Sequence, residues 1–203
     1  MRVRQVFEET PPVDIPAAVA LGMEAVRGDL KPGMRVAVAV GSRGITNLSE
    51  IVAAVIGQLE DAGCEPYIVP AMGSHGGASP EGQTELLGEY GITEAAMGAP
   101  IRASLEVDHI GHTPEGYDGF FAREALAADA IVPINRVKLH TDFGPPLGSG
   151  LIKMLVVGLG KRAGAETFHR AVSRHGYVPM LRSISRLIRE KAPVLFGVGI
   201  VEN

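Results

Sequence analysis

Residues 33–71 read G-M-R-V-A-V-A-V-G-S-R-G-I-T-N-L-S-E-I-V-A-A-V-I-G-Q-L-E-D-A-G-C-E-P-Y-I-V-P-A, and their pattern decides the fold. The run Arg35–Val40 is short and rich in valine, and it follows the turn Lys31-Pro32-Gly33, which predicts a central strand. After the loop Gly41-Ser42-Arg43-Gly44, Leu48, Ile51, Val52, Val55, Ile56 and Leu59 recur at helical spacing on one stripe. Asn47 with Glu50 resembles a capping box at the start of that helix, and Gly63 ends it. Glu65–Ala71 is then a second strand. Strand, helix and strand in this order form a βαβ unit, which implies a parallel sheet and a right-handed crossover.

The same alternation extends outward in both directions. Helices are expected at Ile15–Val26, from Pro80 toward Glu89, at Glu124–Ala128, from Ala163 or Thr167 through His169, and at Pro179–Lys191. Strands are expected at Ile101–Val107 and Ala130–Asn135, with a final buried strand at Val194–Val201. Residues 1–15 read as an edge strand or arm closed by Pro11 and Pro12. Aromatic residues are only 5% with no Trp, so the core is built from Val, Ile, Leu and Ala, which favours helices on a parallel sheet over an all-β sandwich. The expected fold class is α/β, a Rossmann-like, mostly parallel sheet flanked by helices. Ligands of such sheets bind at the carboxyl ends of the strands. Arg43, His75 and the segment from Lys138 onward each follow an expected strand directly.

Bulk properties narrow the function classes. At 203 residues the chain suits one well-filled core. With 19 basic against 23 acidic residues and no long Lys/Arg cluster, nucleic acid is not the expected partner. The single cysteine, Cys64, excludes an internal disulfide and makes an iron–sulfur cluster within the chain untenable. Leu151–Leu159 is interrupted by Lys153 and Gly158, so no apolar run spans a bilayer, and the N-terminal residues lack the apolar core of a signal peptide. A cytoplasmic protein is expected. The chain stops just after its last strand, as a fragment of a longer protein would.

Four loops or helices carry candidate chemistry. Gly41-Ser42-Arg43-Gly44 offers amides, a hydroxyl and a guanidinium at a helix start, which suits phosphate or carboxylate, or else is a tight turn with a solvated arginine. The Walker pattern and G-x-G-x-x-G are absent there, which disfavours ATP and NAD in their usual modes. His75, flanked by Gly73, Gly76 and Gly77, sits at a strand tip and can carry a proton near neutral pH. Lys153 interrupts the run L-I-K-M-L-V-V, so its ammonium either snorkels to water or is held in a pocket where its pKa falls. His140, Lys153 and His169 bracket a glycine-dense stretch able to wrap closely around something small. His109 and His112 are spaced i, i+3, but Gly111 and Pro114 make a helix poor, and they are expected in a surface loop rather than on a metal. No G-x-S-x-G or Cys–His pairing supports hydrolysis or acyl transfer.

Taken together, S-R-G after the early strand, G-S-H-G-G-A-S-P-E, and the stretch from Asn135 to His169 resemble the N-terminal half of the nickel-dependent lactate racemase family. Lys153 and His169 are sixteen residues apart, as the family's cofactor-bearing lysine and nickel-binding histidine are. The resemblance implies a nickel-pincer nucleotide, pyridinium-3,5-bisthiocarboxylic acid mononucleotide with nickel, tethered to Lys153 and ligated by His169. It implies His75 and His140 as bases on opposite faces of an α-hydroxy acid, hydride transfer between the substrate and the cofactor, and Ser42, Arg43 and Gly150 among the cofactor or substrate contacts. It also implies that residues 1–203 are the first domain of a two-domain racemase or epimerase, served by cofactor-biosynthesis proteins. The sequence departs from the family in three places: V-G-S-R-G lacks an acid three residues before Arg43, the interval from His140 to Lys153 is about three residues longer, and S-G-L-I-K replaces S-G-G-x-K. These mark a divergent member. The competing reading is a nucleotide- or metabolite-binding module of the same fold without the chemistry.

Overall fold

The structure, a computed structural model, describes residues 12–41, 44–138 and 147–202. Its elements in chain order are α1 (Ile15–Glu24), β1 (Arg35–Val40), α2 (Leu48–Asp61), β2 (Glu65–Pro70), α3 (Pro80–Glu89), α4 (Glu94–Met97), β3 (Val107–His112), β4 (Asp118–Ala122), α5 (Arg123–Leu126), β5 (Ala130–Arg136), α6 (Leu151–Lys153), α7 (Lys161–His175), α8 (Tyr177–Lys191) and β6 (Val198–Ile200). Residues Met154–Gly158, between α6 and α7, form a π-helical stretch.

The main sheet has the order β2-β1-β5-β6, and all of its pairings are parallel. β1 is central because R-V-A-V-A-V can be buried on both faces: Val36 to Val40 are all fully buried. Its alternation sorts the side chains into two cores. Val36, Val38 and Val40 meet α1 and α2 on one face, where Ile51, Val52, Val55, Ile56 and Leu59 supply most of the packing. Ala37 and Ala39 face the other way, toward Leu155, Leu159, Phe168, Met180 and Ile184 of the C-terminal helical layer. The small alanines let that layer approach closely. The result is a three-layer α/β domain with the Rossmann-like arrangement expected from the sequence.

Most elements follow their sequence signals. Asp14 caps α1 by accepting from the Ala17 amide at 3.0 Å, and Ser79 caps α3 by accepting from Gly82 at 3.0 Å, each with a proline in the first turn. Four expectations need correction. Asn47 takes a left-handed conformation (φ 57°) and makes no side-chain cap, so the Asn47–Glu50 capping box does not form. Ile101–Val107 is not a strand: Ile101 makes a single bridge to Ile68, and the strand begins where that segment ends, at Val107. His109 and His112 accordingly lie on β3 and not in a loop, because β3 finds an antiparallel partner in β4. That separate two-stranded sheet lays Phe121 into the second core. The last strand is neither long nor buried: β6 spans three half-exposed or exposed residues at the sheet edge, and Val194 contributes only a bridge to Ile131. Apolar composition alone does not separate an edge strand from a central one. Among the described residues no helix is long and apolar enough to cross a membrane.

Leu59 is fully buried at the end of the α2 stripe. Leu59→Ala should lower unfolding free energy by about 2–5 kcal/mol in urea titration, the cost of an unfilled core cavity; a loss within experimental error would show that α2 does not anchor the first core.

Candidate functional site

The parallel register brings three loops to one edge of the sheet. Val40 pairs with both Pro70 and Ile134, so β1 and β2 end level while β5 runs two residues further, to Arg136, and the chain leaves all three strands on the same side. His75 lies in the loop after β2. Its side chain is exposed, its amide donates to Met72 O at 3.1 Å, and its carbonyl accepts from Ala78 and from Gln83.

That loop is held from beneath by groups the sequence reading passed over. Lys161, the first residue of α7, is 1% exposed, and its Nζ donates to Pro70 O at 2.6 Å and to Gln83 Oε1 at 3.1 Å. Gln83, equally buried on α3, uses its amide nitrogen to donate to Gly73 O at 3.0 Å and to His75 O at 3.3 Å. A single connected network thus runs from the start of α7 through α3 to the backbone of the histidine loop. Lys161 also holds the left-handed region at φ 53°, which costs a residue with a Cβ about 1–2 kcal/mol. Burial pushes its ammonium down to about pKa 8. A buried cation and a left-handed backbone at one residue are local costs of the kind that cluster at functional sites.

The glycines of this region serve chain packing more than ligand approach. A Cβ at Gly158 would lie 2.5 Å from Ala71 O, and Gly158 O accepts from the Gly73 amide at 3.0 Å, so the π-helical stretch abuts the histidine loop directly. A Cβ at Gly76 would lie 2.6 Å from the Gly82 backbone of α3. The glycine-dense segment therefore wraps protein backbone at these points. A π-bulge beside such a contact is a common companion of functional sites.

A cleft of about 560 Å³ opens between the histidine loop and α7, lined by Ser74, Ala78, Arg162, Ala165, Glu166 and His169. Four of these follow helical spacing: 162, 165, 166 and 169 form one exposed face of α7. Gly164, Phe168 and Ala171 form the buried face, and Lys161 extends that buried stripe by one turn. His169 packs edge-on against Phe168, ring centroids 5.7 Å apart, and Arg162 pairs with Glu166 at 2.8 Å. The structure thus brings His169 to the loop that carries His75, with a guanidinium and a carboxylate alongside.

Lys153 ends the short turn α6 and is half-buried; it is not among the residues lining this cleft. Gly150 precedes α6, and its carbonyl accepts from Asn135 Nδ2 at 3.2 Å. Ser42, Arg43 and His140 lie outside the described residues. The segment carrying His140 departs from a defined base: Lys138 and Ser149 exchange two backbone hydrogen bonds of 3.0 and 2.8 Å, and the Tyr177 hydroxyl donates to Gly148 O at 2.9 Å. At the same carboxyl edge, toward β6, Glu202 accepts from the Arg136 guanidinium and from the Thr46 amide at 2.5 Å, tying β5 and β6 to the loop before α2. Those bonds, Arg136 first, hold its carboxyl below the usual range.

A parallel sheet flanked by helices, with a cleft beside the strands' carboxyl edge, is the Rossmann-like class of fold, in which ligands generally bind at that edge. The chain belongs to the lactate racemase N-terminal domain family, whose model matches residues 8–178. Its fold is similar to that of the lactate racemase apoprotein from Thermoanaerobacterium thermosaccharolyticum, with a TM-score of 0.63 and 17% sequence identity over 93% of this chain and 49% of that one. The chain therefore spans about half the length of that protein. No curated protein sequence matches it.

Linkage gives the buried lysine a measurable signature. Below about pH 8 both folded and unfolded states hold the proton, and the burial penalty is fully present. As pH rises toward 10.5 the folded state sheds the proton while the unfolded state keeps it, so stability from this group should rise by about 3 kcal/mol across the window. Lys161→Met should lack that rise; equal pH slopes for the two proteins in urea unfolding would remove the buried-cation assignment. Gly158→Ala, which forces a Cβ against Ala71 O, should lower the melting temperature and speed amide exchange at Gly73; unchanged exchange would contradict the close approach.

Proposed function

We propose that this chain is the first domain of a two-domain, cytoplasmic racemase or epimerase of an α-hydroxy acid that depends on a nickel-pincer nucleotide. The observation that carries the reading is the placement of His169 and the loop of His75 on opposite walls of one cleft. The donor types fit the group. His169 is an exposed imidazole on a rigid helix, and neutral imidazole suits nickel. The cleft volume of about 560 Å³ lies in the range of small-molecule pockets. Lys153 would bear the cofactor through its amine, and Ser42, Arg43 and Gly150 would contact it.

When bound, the cofactor supplies an acceptor and donor of hydride for the substrate's α-carbon. The remaining work falls to the chain's own groups. His75 Nδ1 or Nε2 takes the hydroxyl proton of one enantiomer and returns it on the reverse reaction, while His140 does the same on the other face. Imidazole serves both directions because its pKa lies near neutrality. The network from Lys161 through Gln83 fixes the backbone that carries His75, and so fixes the origin of its side chain. Arg162 and Glu166 form an ion pair with no net charge, so a substrate carboxylate would have to compete with Glu166 for the guanidinium.

Full-length protein produced together with the enzymes that make the cofactor should contain nickel and gain the mass of a mononucleotide adduct. Lys153→Ala should abolish the adduct. His169→Ala should keep the adduct and lose most of the nickel. An unmodified mass with tight nucleotide binding would instead establish a binding module that lacks the chemistry.

A further inference from the structure

The β3–β4 hairpin gathers a second set of ligand-type side chains that has no part in the cleft. In a regular strand His109 and His112 would point to opposite faces, because they are three positions apart and side chains alternate. Here they share a face. The pairing shifts register between His109 and Gly111, so His109 opposes Phe120 while His112 opposes Asp118. Gly111, at φ 126°, provides the irregular backbone, and the extra residue of the bulge turns the second histidine back toward the first.

The resulting geometry is compact. His109 Nε2 and His112 Nδ1 each lie 3.0 Å from Asp118 Oδ1, and the three ligand atoms all fall within 4.8 Å of one another. Donors bound to one tetrahedral ion at zinc–nitrogen distances are about 3.4 Å apart, so only small side-chain rotations separate this arrangement from a coordination sphere. The opposite face of the hairpin is fixed by Leu187 of α8: a Cβ at Gly119 would lie 2.6 Å from its Cδ2, and one at Gly111 would lie 3.4 Å from its Cδ1. Phe120 braces the His109 ring edge-on at 5.7 Å. All three ligand side chains are 43–65% exposed, so an ion reaches them without opening the fold.

We propose that the β3–β4 hairpin carries a binding site for a divalent transition ion, zinc or a close neighbour such as nickel or cobalt, with His109 Nε2, His112 Nδ1 and Asp118 as ligands. Two imidazoles and one carboxylate select these ions over magnesium and calcium, which prefer all-oxygen sets. Water completes the coordination on the solvent side. The site stands independently of the racemase reading, since none of its residues lines the cleft.

The test is calorimetric titration of chelator-treated, tag-free protein with zinc chloride alone, supported by the visible spectrum after cobalt addition. One equivalent should bind with micromolar affinity in the parent protein and equally in His169→Ala. His112→Ala and Asp118→Asn should each weaken binding, and because losing a ligand costs at least as much as losing an outer partner, the loss should be about tenfold or more. Magnesium should give no heat. Affinity unchanged in both hairpin variants, no binding in His169→Ala, or no binding to the parent protein would each overturn the proposal. The substitutions lie on exposed side chains, and far-ultraviolet circular dichroism checks that each variant is folded.

Discussion

The Lys161 ammonium is the pivot of this molecule. A cation with 1% exposure is tolerable only because two oxygens receive its protons, the carbonyl of Pro70 at the end of β2 and the side chain of Gln83 on α3. Neither oxygen could be spared: the desolvated charge would be left uncompensated. In meeting that requirement the lysine locks the start of α7 to the end of β2 and to the helix just beyond the His75 loop. α7 forms one wall of the cleft, and β2 and α3 flank the His75 loop that forms the other.

Glycine completes the same junction from the other side. Without a side chain at 158, the π-helical stretch reaches backbone-to-backbone contact with residues 71–73. After the turn at residues 159–160 and the left-handed Lys161, α7 presents Arg162, Ala165, Glu166 and His169 to the opening while Phe168 and Ala171 stay in the core. Positioning a helix face by a rigid backbone contact holds a side chain more accurately than placing it on a loop would.

Much of the fold could be read from residues alone because its two periodicities are clean. The α2 stripe ending at Leu59, the strand at Arg35–Val40 and the proline-started α3 need no knowledge of tertiary contacts. Where the reading failed, the deciding forces were non-local. The β3–β4 pairing depends on a partner strand, and the bulge at Gly111 breaks the alternation that would otherwise separate His109 from His112. Lys161 was missed because a charged residue in K-R-A-G reads as solvated. The spacing 161, 164, 168, 171 already put it on the buried face, and that signal was available. The candidate residues His75 and His169 were legible as strand-tip and helix histidines. Their common cleft was not, because it depends on the 2-1-5-6 strand order and the π turn between α6 and α7.

The bridge between Lys138 and Ser149 has an evolutionary corollary. With both ends of the intervening stretch clamped by backbone bonds, its length is uncoupled from the sheet, and closing a loop a few residues longer costs well under about 1 kcal/mol. Relatives can lengthen or shorten that stretch without renegotiating the core. A change of length between these two clamped residues therefore leaves the packing of the sheet and its helices untouched.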